Sequence, residues 1–519
     1  MRGEVERCGM RHIWTTVCLL MLPVALAVSL SPAAGAPLER LADSVQEFTL
    51  KNGLHVLVVE QHDAPVFAYC TIVDAGGVCE VPGITGIAHM FEHMAFKGTT
   101  TMGTINYRAE RKAMAKVDAA WDEVLAERRK RFDADSTRLE ELTAAFNEAI
   151  EEAYEYVVPN EFSRVLEENG ARGMNASTGT DITTYYYSLP SNRFELCARL
   201  EADRLANPVL REFYKERSVV RNERRTVTES TPMGRLFEDF LTTAFSAHTY
   251  GNGVIGHTSD IENFHRRDAL NFFKKHYVGR NMTVCFVGDI TLEQVRKVAK
   301  KYFSAISDGP DPAPVTTMDP VHRAERRVIA EEDANPVVLI GWQCPASADP
   351  DYPAMELLME ILGGGRSSRL YERLVKEEQV ATQAGAGTGL PGDKYPNQAI
   401  VFAYCAADRD PLEAEAMIYE EIDRLIAEGP TPEEVKKVKA GYLATTMRRL
   451  RRPSGLARAL ATADQIEGNW RHLFGNLEQI EAVTAEDIQR LAAERLIKSR
   501  RIVAMLKKPA EEESAQAAK

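Results

Sequence analysis

The sequence predicts an α+β fold: two similar lobes, each a mostly antiparallel sheet covered by helices, with a helical hairpin inserted in the first. Three observations carry this. Short apolar runs bounded by turn residues are interspersed with amphipathic helical runs over 46–308. After a proline-rich linker at 309–324 the same strand–turn–helix order restarts over 325–507, the mark of an internal repeat. Between the first helix and the strands that follow it, residues 107–158 are highly charged and contain neither glycine nor proline.

Phe48–Leu50 and Leu54–Val59 flank Asn52-Gly53, a tight-turn signal, so the first lobe opens on a hairpin. Pro65–Val73 reads as a buried strand. A glycine-rich turn (Gly76-Gly77, Pro82-Gly83, Gly86) leads into a helix at about 84–97, with Thr85 as N-cap and Lys97-Gly98 as its stop. In the charged stretch Met114, Val117, Trp121, Val124 and Leu125 recur at helical spacing, as do Leu139, Leu142, Phe146, Ile150, Ala153 and Val157. Asp133–Thr137 breaks the pattern, which predicts two antiparallel helices. They form either a solvated spacer or a lid or docking arm. Residues 172–188 read as a Gly/Thr turn running into a strand, followed by helices at 192–205 and 212–229 and a strand at Met282–Val287. Pro310, Pro312, Pro314 and Pro320 mark the linker. Beyond it, Asn335–Gly341 echoes Ala64–Cys70, and each precedes a turn and an apolar helix. Arg501–Leu506 parallels Met282–Val287, and the polar tail at 508–519 is expected to be disordered.

The chemistry lies in His89-Met90-Phe91-Glu92-His93. On a helix, residues four apart project from one face, so His89 and His93 can hold one Zn²⁺, and Glu92 lies near that face as a general base. Two ligands and a base within five residues predict metal-assisted hydrolysis. In the repeat, Glu356 and Glu360 stand where the histidines would be and Met359 where Glu92 would be, so the second lobe carries no equivalent site.

Composition narrows the rest. A net charge of −13 argues against a nucleic-acid partner. Residues 1–36 read as a signal peptide: Arg2, Arg7 and Arg11 precede an apolar run from Ile13 to Leu30 and small residues to Ala36. A periplasmic location and no stable membrane span in the mature chain follow; the alternative is an uncleaved anchor. Cys70, Cys79, Cys197, Cys285, Cys344 and Cys405 lack metal-site spacing, and free buried thiols are the default, with a Cys70–Cys79 bridge as the alternative.

The chain resembles the pitrilysin/insulinase family of inverse-motif zinc peptidases, above all shorter members similar to the mitochondrial processing peptidase and its bacterial relatives. The matching runs are Gly86–Thr99, Asn175–Thr178, Asp203–Pro208 and Gly363–Tyr371, and the resemblance covers about 46–507. It implies a zinc endopeptidase acting on extended peptides, with one Zn²⁺ per chain. Glu223 becomes the third ligand and Glu216, seven residues earlier on the same helix face, a supporting carboxylate. The strand following Asn175, Ala176 and Ser177 would pair with substrate backbone; read without the resemblance, Asn175 is a turn residue. Two departures stand out. Glu223 lies 130 residues after His93, and the 107–158 hairpin accounts for the excess. Single-chain relatives place an Arg and a Tyr in the second half, where this sequence has Val375 and Thr382. The resemblance thus implies the metal-bearing subunit of a pair, its homologous partner bringing the Arg and Tyr; the alternative is a homodimer, or rescue by Arg366, Arg369 or Tyr371. His248-Thr249-Tyr250-Gly251 matches a family loop and reads as structural. The rival reading is a non-catalytic scaffold or peptide-binding subunit, for which an intact Glu92 would have no use.

Overall fold

The computed structural model describes residues 35–509. Most of the expected leader, and the tail beyond Pro509, lie outside them; Gly35 and Ala36, assigned to the leader, begin a helix that runs to Asp43. Asn52-Gly53 turns β1 (Val45–Thr49) into β2 (His55–Glu60), with Gly53 at φ +84°, where L side chains are strained. β3 (Val66–Val73) is buried at every residue but its first, as a strand covered on both faces must be. Residues 172–188 differ from the expected turn and single strand. They form most of a second hairpin, β4 (Arg172–Thr178) and β5 (Thr183–Pro190), so Asn175–Ser177 sit within a strand. With β6 (Met282–Gly288) these make a six-stranded sheet ordered β1-β2-β6-β3-β5-β4, in which only β2–β6 is parallel.

The second sheet, from β7 (Arg326–Glu331), β8 (Val337–Cys344), β9 (Ala381–Leu390), β10 (Asn397–Cys405) and β11 (Arg501–Lys507), runs β7-β11-β8-β10-β9. Only β7–β11 is parallel. Strand for strand this repeats β2-β6-β3-β5-β4. The repeat therefore extends to topology, and the helix Tyr352–Gly363 follows β8 as the helix Ile87–Met94 follows β3. The linker has no regular structure but is fastened down: Asp319 accepts the amides of Ser246, Ala247 and His248.

The two halves exchange helices. Pro453–Ile466, from the second half, covers the face of the first sheet made by Leu57, Val59, Ala68, Cys70, Ile72, Cys285 and Val287, using Leu456, Ala457 and Leu460. Reciprocally, Pro232–Ala244 from the first half lays Leu236, Phe240 and Leu241 on Val337, Leu339, Ile502 and Ala504 of the second sheet. The six cysteines of the described residues are free thiols, all buried except the half-buried Cys79.

Candidate metal centre

The helix carrying His89 and His93 is short, Ile87–Met94, three residues less at each end than the spacing predicts. Its N-cap is Gly86 at φ +90°, not Thr85, and a Cβ there would lie 2.4 Å from the Ile255 carbonyl oxygen. The free amides are taken by the buried Glu80, whose carboxylate accepts Gly86 N–H at 2.7 Å and Ala88 N–H at 2.8 Å. Burial pushes Glu80 up to about 8 against those bonds. Thr85 instead donates to Asp260 and accepts from the His257 amide.

Two histidines and a glutamate converge from two helices. His89, His93 and Glu223 each present a ligand atom within 4.8 Å of the others, the one such group of three among the described residues. His89 Nε2 lies 3.8 Å from one Glu223 oxygen and His93 Nε2 lies 3.6 Å from the other. Ligand atoms around a tetrahedral zinc stand roughly 3.3 Å apart for bonds of about 2.0–2.1 Å, so this donor set fits the ion with little movement. The imidazole rings meet edge-on, with centroids 4.9 Å apart. Burial, then the neighbouring His93, hold His89 down to about 4, so its nitrogen is a free donor at neutral pH. The buried His89 Nδ1 has no hydrogen-bond partner.

Glu216, one helical heptad before Glu223 on Phe213–Arg224, lies 3.4 Å from His93 Nδ1 and also binds Lys97. That bond raises the His93 pKa. Burial alone would raise Glu216, but His93 and Lys97 outweigh it and hold its carboxylate below the usual range. Lys97, which the sequence marks only as a helix stop, is the counter-ion of this carboxylate. After Glu223 the helix widens into a π-turn, Arg225–Glu229.

Glu92 is half-buried, and desolvation raises its pKa. Thr178 Oγ1 donates to one of its oxygens at 2.6 Å. Motif spacing gives no sign of this contact, although Thr178 ends the run Asn175–Thr178. Alternation along β4 explains the geometry: Ala176 is buried on the inward side, Asn175 and Ser177 are exposed on the other. The Asn175 side chain accepts its neighbour's amide, Ala176 N–H, at 2.9 Å. β4 is the sheet edge, paired only with β5 among the described residues, so its outer backbone groups are open. Beyond Thr178 the turn is tied to the second half. Asp181 accepts the amides of Asp393 and Lys394 and the Tyr250 hydroxyl, and Thr180 donates to the Pro391 carbonyl. His248 is buried, its ring against Tyr250 and Tyr395.

In the second half, Val375 packs against the core and Thr382 donates to the Tyr404 carbonyl. Arg369 is committed to Glu434, while Arg366 is exposed. Burial pushes Glu356 up to about 7 and raises Glu360.

Comparison with known proteins agrees with this architecture. The family model described as "Insulinase (Peptidase family M16)" matches residues 55–143 and 151–258, and that of the "Peptidase M16 inactive domain" matches 263–442. Zinc protease PqqE of Helicobacter pylori is 27% identical over 422 residues, 79% of this chain and 81% of that one. A probable mitochondrial-processing peptidase subunit beta of Schizosaccharomyces pombe is 24% identical over 350 residues, 64% of each chain. Among solved structures, a protease from Helicobacter pylori superposes with a TM-score of 0.74 at 25% identity, covering 89% of this chain and 99% of that one. The first half of the periplasmic protease PqqL from Escherichia coli superposes at 0.65 and 15%, covering 91% and 93%. The matched models span both halves, and the chain belongs to the pitrilysin/insulinase (M16) family of zinc peptidases.

Proposed function

We propose that the protein is a zinc-dependent endopeptidase, the metal-bearing subunit of a two-subunit peptidase acting on extended peptides. The convergence of His89, His93 and Glu223 beside a half-buried Glu92 carries this reading. These three would hold one Zn²⁺, which supplies Lewis-acid polarisation of the scissile carbonyl and a water acidified toward neutral pH. Glu216 fixes the His93 ring through Nδ1, leaving Nε2 for the ion. Glu92 takes the proton of the attacking water and hands it to the leaving amine. Thr178 occupies one of its oxygens and leaves the other for that proton. Substrate adds as a strand to the open edge of β4 at Asn175, Ala176 and Ser177, so backbone pairing dominates over side-chain selection. The exposure of Asn175 and Ser177 supports this role.

Val375 and Thr382 offer neither cation nor phenol, which favours a homologous partner supplying both; a homodimer is the alternative. The apolar leader favours export to the periplasm, and no helix among the described residues is long and apolar enough to cross a membrane. The test is cleavage of a quenched peptide by wild type and Glu92→Gln, each with and without the partner. Glu92→Gln should keep its zinc and lose about 10²–10⁴-fold in kcat. Zinc binding by both proteins with cleavage by neither, partner present, would make the chain a scaffold.

A further inference from the structure

The inserted hairpin, helices Tyr107–Arg128 and Ser136–Tyr154, grips the helix that carries Glu216 and Glu223 from behind. The grip starts one residue before that helix's cap. Arg211 and Glu110 are both buried and bonded at 2.7 Å, and Arg211 also donates to the Thr99 and Met102 carbonyls in the loop after the histidine helix. Asp118 accepts the Tyr214 hydroxyl at 3.0 Å and binds Arg266. Trp121, 1% exposed, has its ring 5.7 Å from Tyr214 and 5.0 Å from Phe146, and Arg217 lies over it at 3.9 Å. Lys215 sits over Tyr154 at 3.6 Å and pairs with Glu151.

Helical phase sorts these residues. At about 100° per residue, Tyr214 and Arg217 share one face, and Glu216 and Glu223 point from roughly the opposite one. The helix is clamped between the hairpin and the histidine helix. An exposed helix ending in a π-turn would otherwise set the Glu223 carboxylate only loosely.

We propose that the hairpin is a brace that holds the Glu223 helix at ligand distance from His89 and His93, with Trp121, Asp118 and Tyr214 as positioning residues. This rests on the metal-site reading above. The experiment uses the full chain as wild type, Trp121→Ala, Trp121→Phe, Asp118→Asn and Tyr214→Phe. Zinc Kd is measured by chelator competition, and amide hydrogen exchange and melting are measured on the metal-free proteins. The brace predicts a zinc Kd weakened roughly tenfold or more in Trp121→Ala. Asp118→Asn and Tyr214→Phe, which keep the packing, should show smaller losses in the same direction, and Trp121→Phe should recover part of the affinity. Exchange across 213–224 should rise while β2, β3 and β6 stay protected. A lowered melting temperature with zinc Kd and 213–224 exchange at wild-type values in all four variants would reduce the hairpin to bulk stability and overturn the brace alone. No tight zinc in the wild type would overturn the metal site and the brace together.

Discussion

Gly86 and Glu80 decide how His89 enters the centre. The backbone must turn through φ +90° directly against the Ile255 carbonyl, and only glycine does so without strain. Gly86→Ala should cost at least about 2 kcal/mol in urea unfolding, from the left-handed conformation plus the clash; a loss under 0.5 kcal/mol, roughly the level of a neutral surface change, would contradict this. Thr178 acts on the other side of the motif. Thr178→Val removes the donor that orients Glu92 and should lower kcat about tenfold with zinc content unchanged. An unaltered kcat would show that Glu92 needs no such orientation. At this scale the sequence is legible only where chemistry is local. His89, Glu92 and His93 follow from spacing on one helix. Glu223 does not, because nothing in spacing distinguishes it from the charged residues around it; the family resemblance singles it out. Lys97 and Thr178 escape because their partners lie on separate segments of chain, and Glu80 because its partners are backbone amides, which no side-chain pattern marks.

Among elements, β4 shows why local propensity fails. Its Gly, Asn and Ser content favours a turn, yet pairing with β5 makes it a strand, and a sheet edge tolerates such residues. The exchanged helix Pro453–Ile466 is held by a half-buried polar contact: His55 on β2 lies 2.6 Å from Asp464 and 3.2 Å from Glu47. Burial opposes protonation of His55, but the two carboxylates outweigh it and raise its pKa above 6.5. A raised folded-state pKa gives stability fully present below the unfolded value near 6.5 and lost as pH rises through the folded value. The unfolding free-energy difference between wild type and Asp464→Asn should therefore be about 1 kcal/mol larger at pH 5.5 than at pH 8.5. A difference independent of pH would mean that His55 does not titrate against Asp464.

For the whole molecule, the repeat was legible because its strands recur in order, and the two sheets match in topology. The helix exchange was not. A continuously apolar β3 says that both faces are covered, but not by which segment. The exchange has a consequence. Residues 46–308 alone would expose the Leu57, Val59, Ala68, Cys70, Ile72, Cys285 and Val287 face to water. Burial of such side chains stabilises by roughly 1.5–3 kcal/mol for each large one, so this half should be insoluble or molten when expressed alone. Coexpression with 309–509 should restore a cooperative melt; a well-folded isolated half would refute the interdependence. The same exchange places the second half against the turn that follows Thr178, so substrate edge and scaffold are set together.

We propose that His89, His93 and Glu223 hold one catalytic zinc. Metal content per chain, measured by plasma mass spectrometry on wild type, Glu92→Gln and Glu223→Gln after dialysis against a weak chelator, tests it most directly. One zinc per chain is expected in wild type and Glu92→Gln, with near-complete loss in Glu223→Gln. Full zinc retention in Glu223→Gln, or none in the wild type, would contradict it.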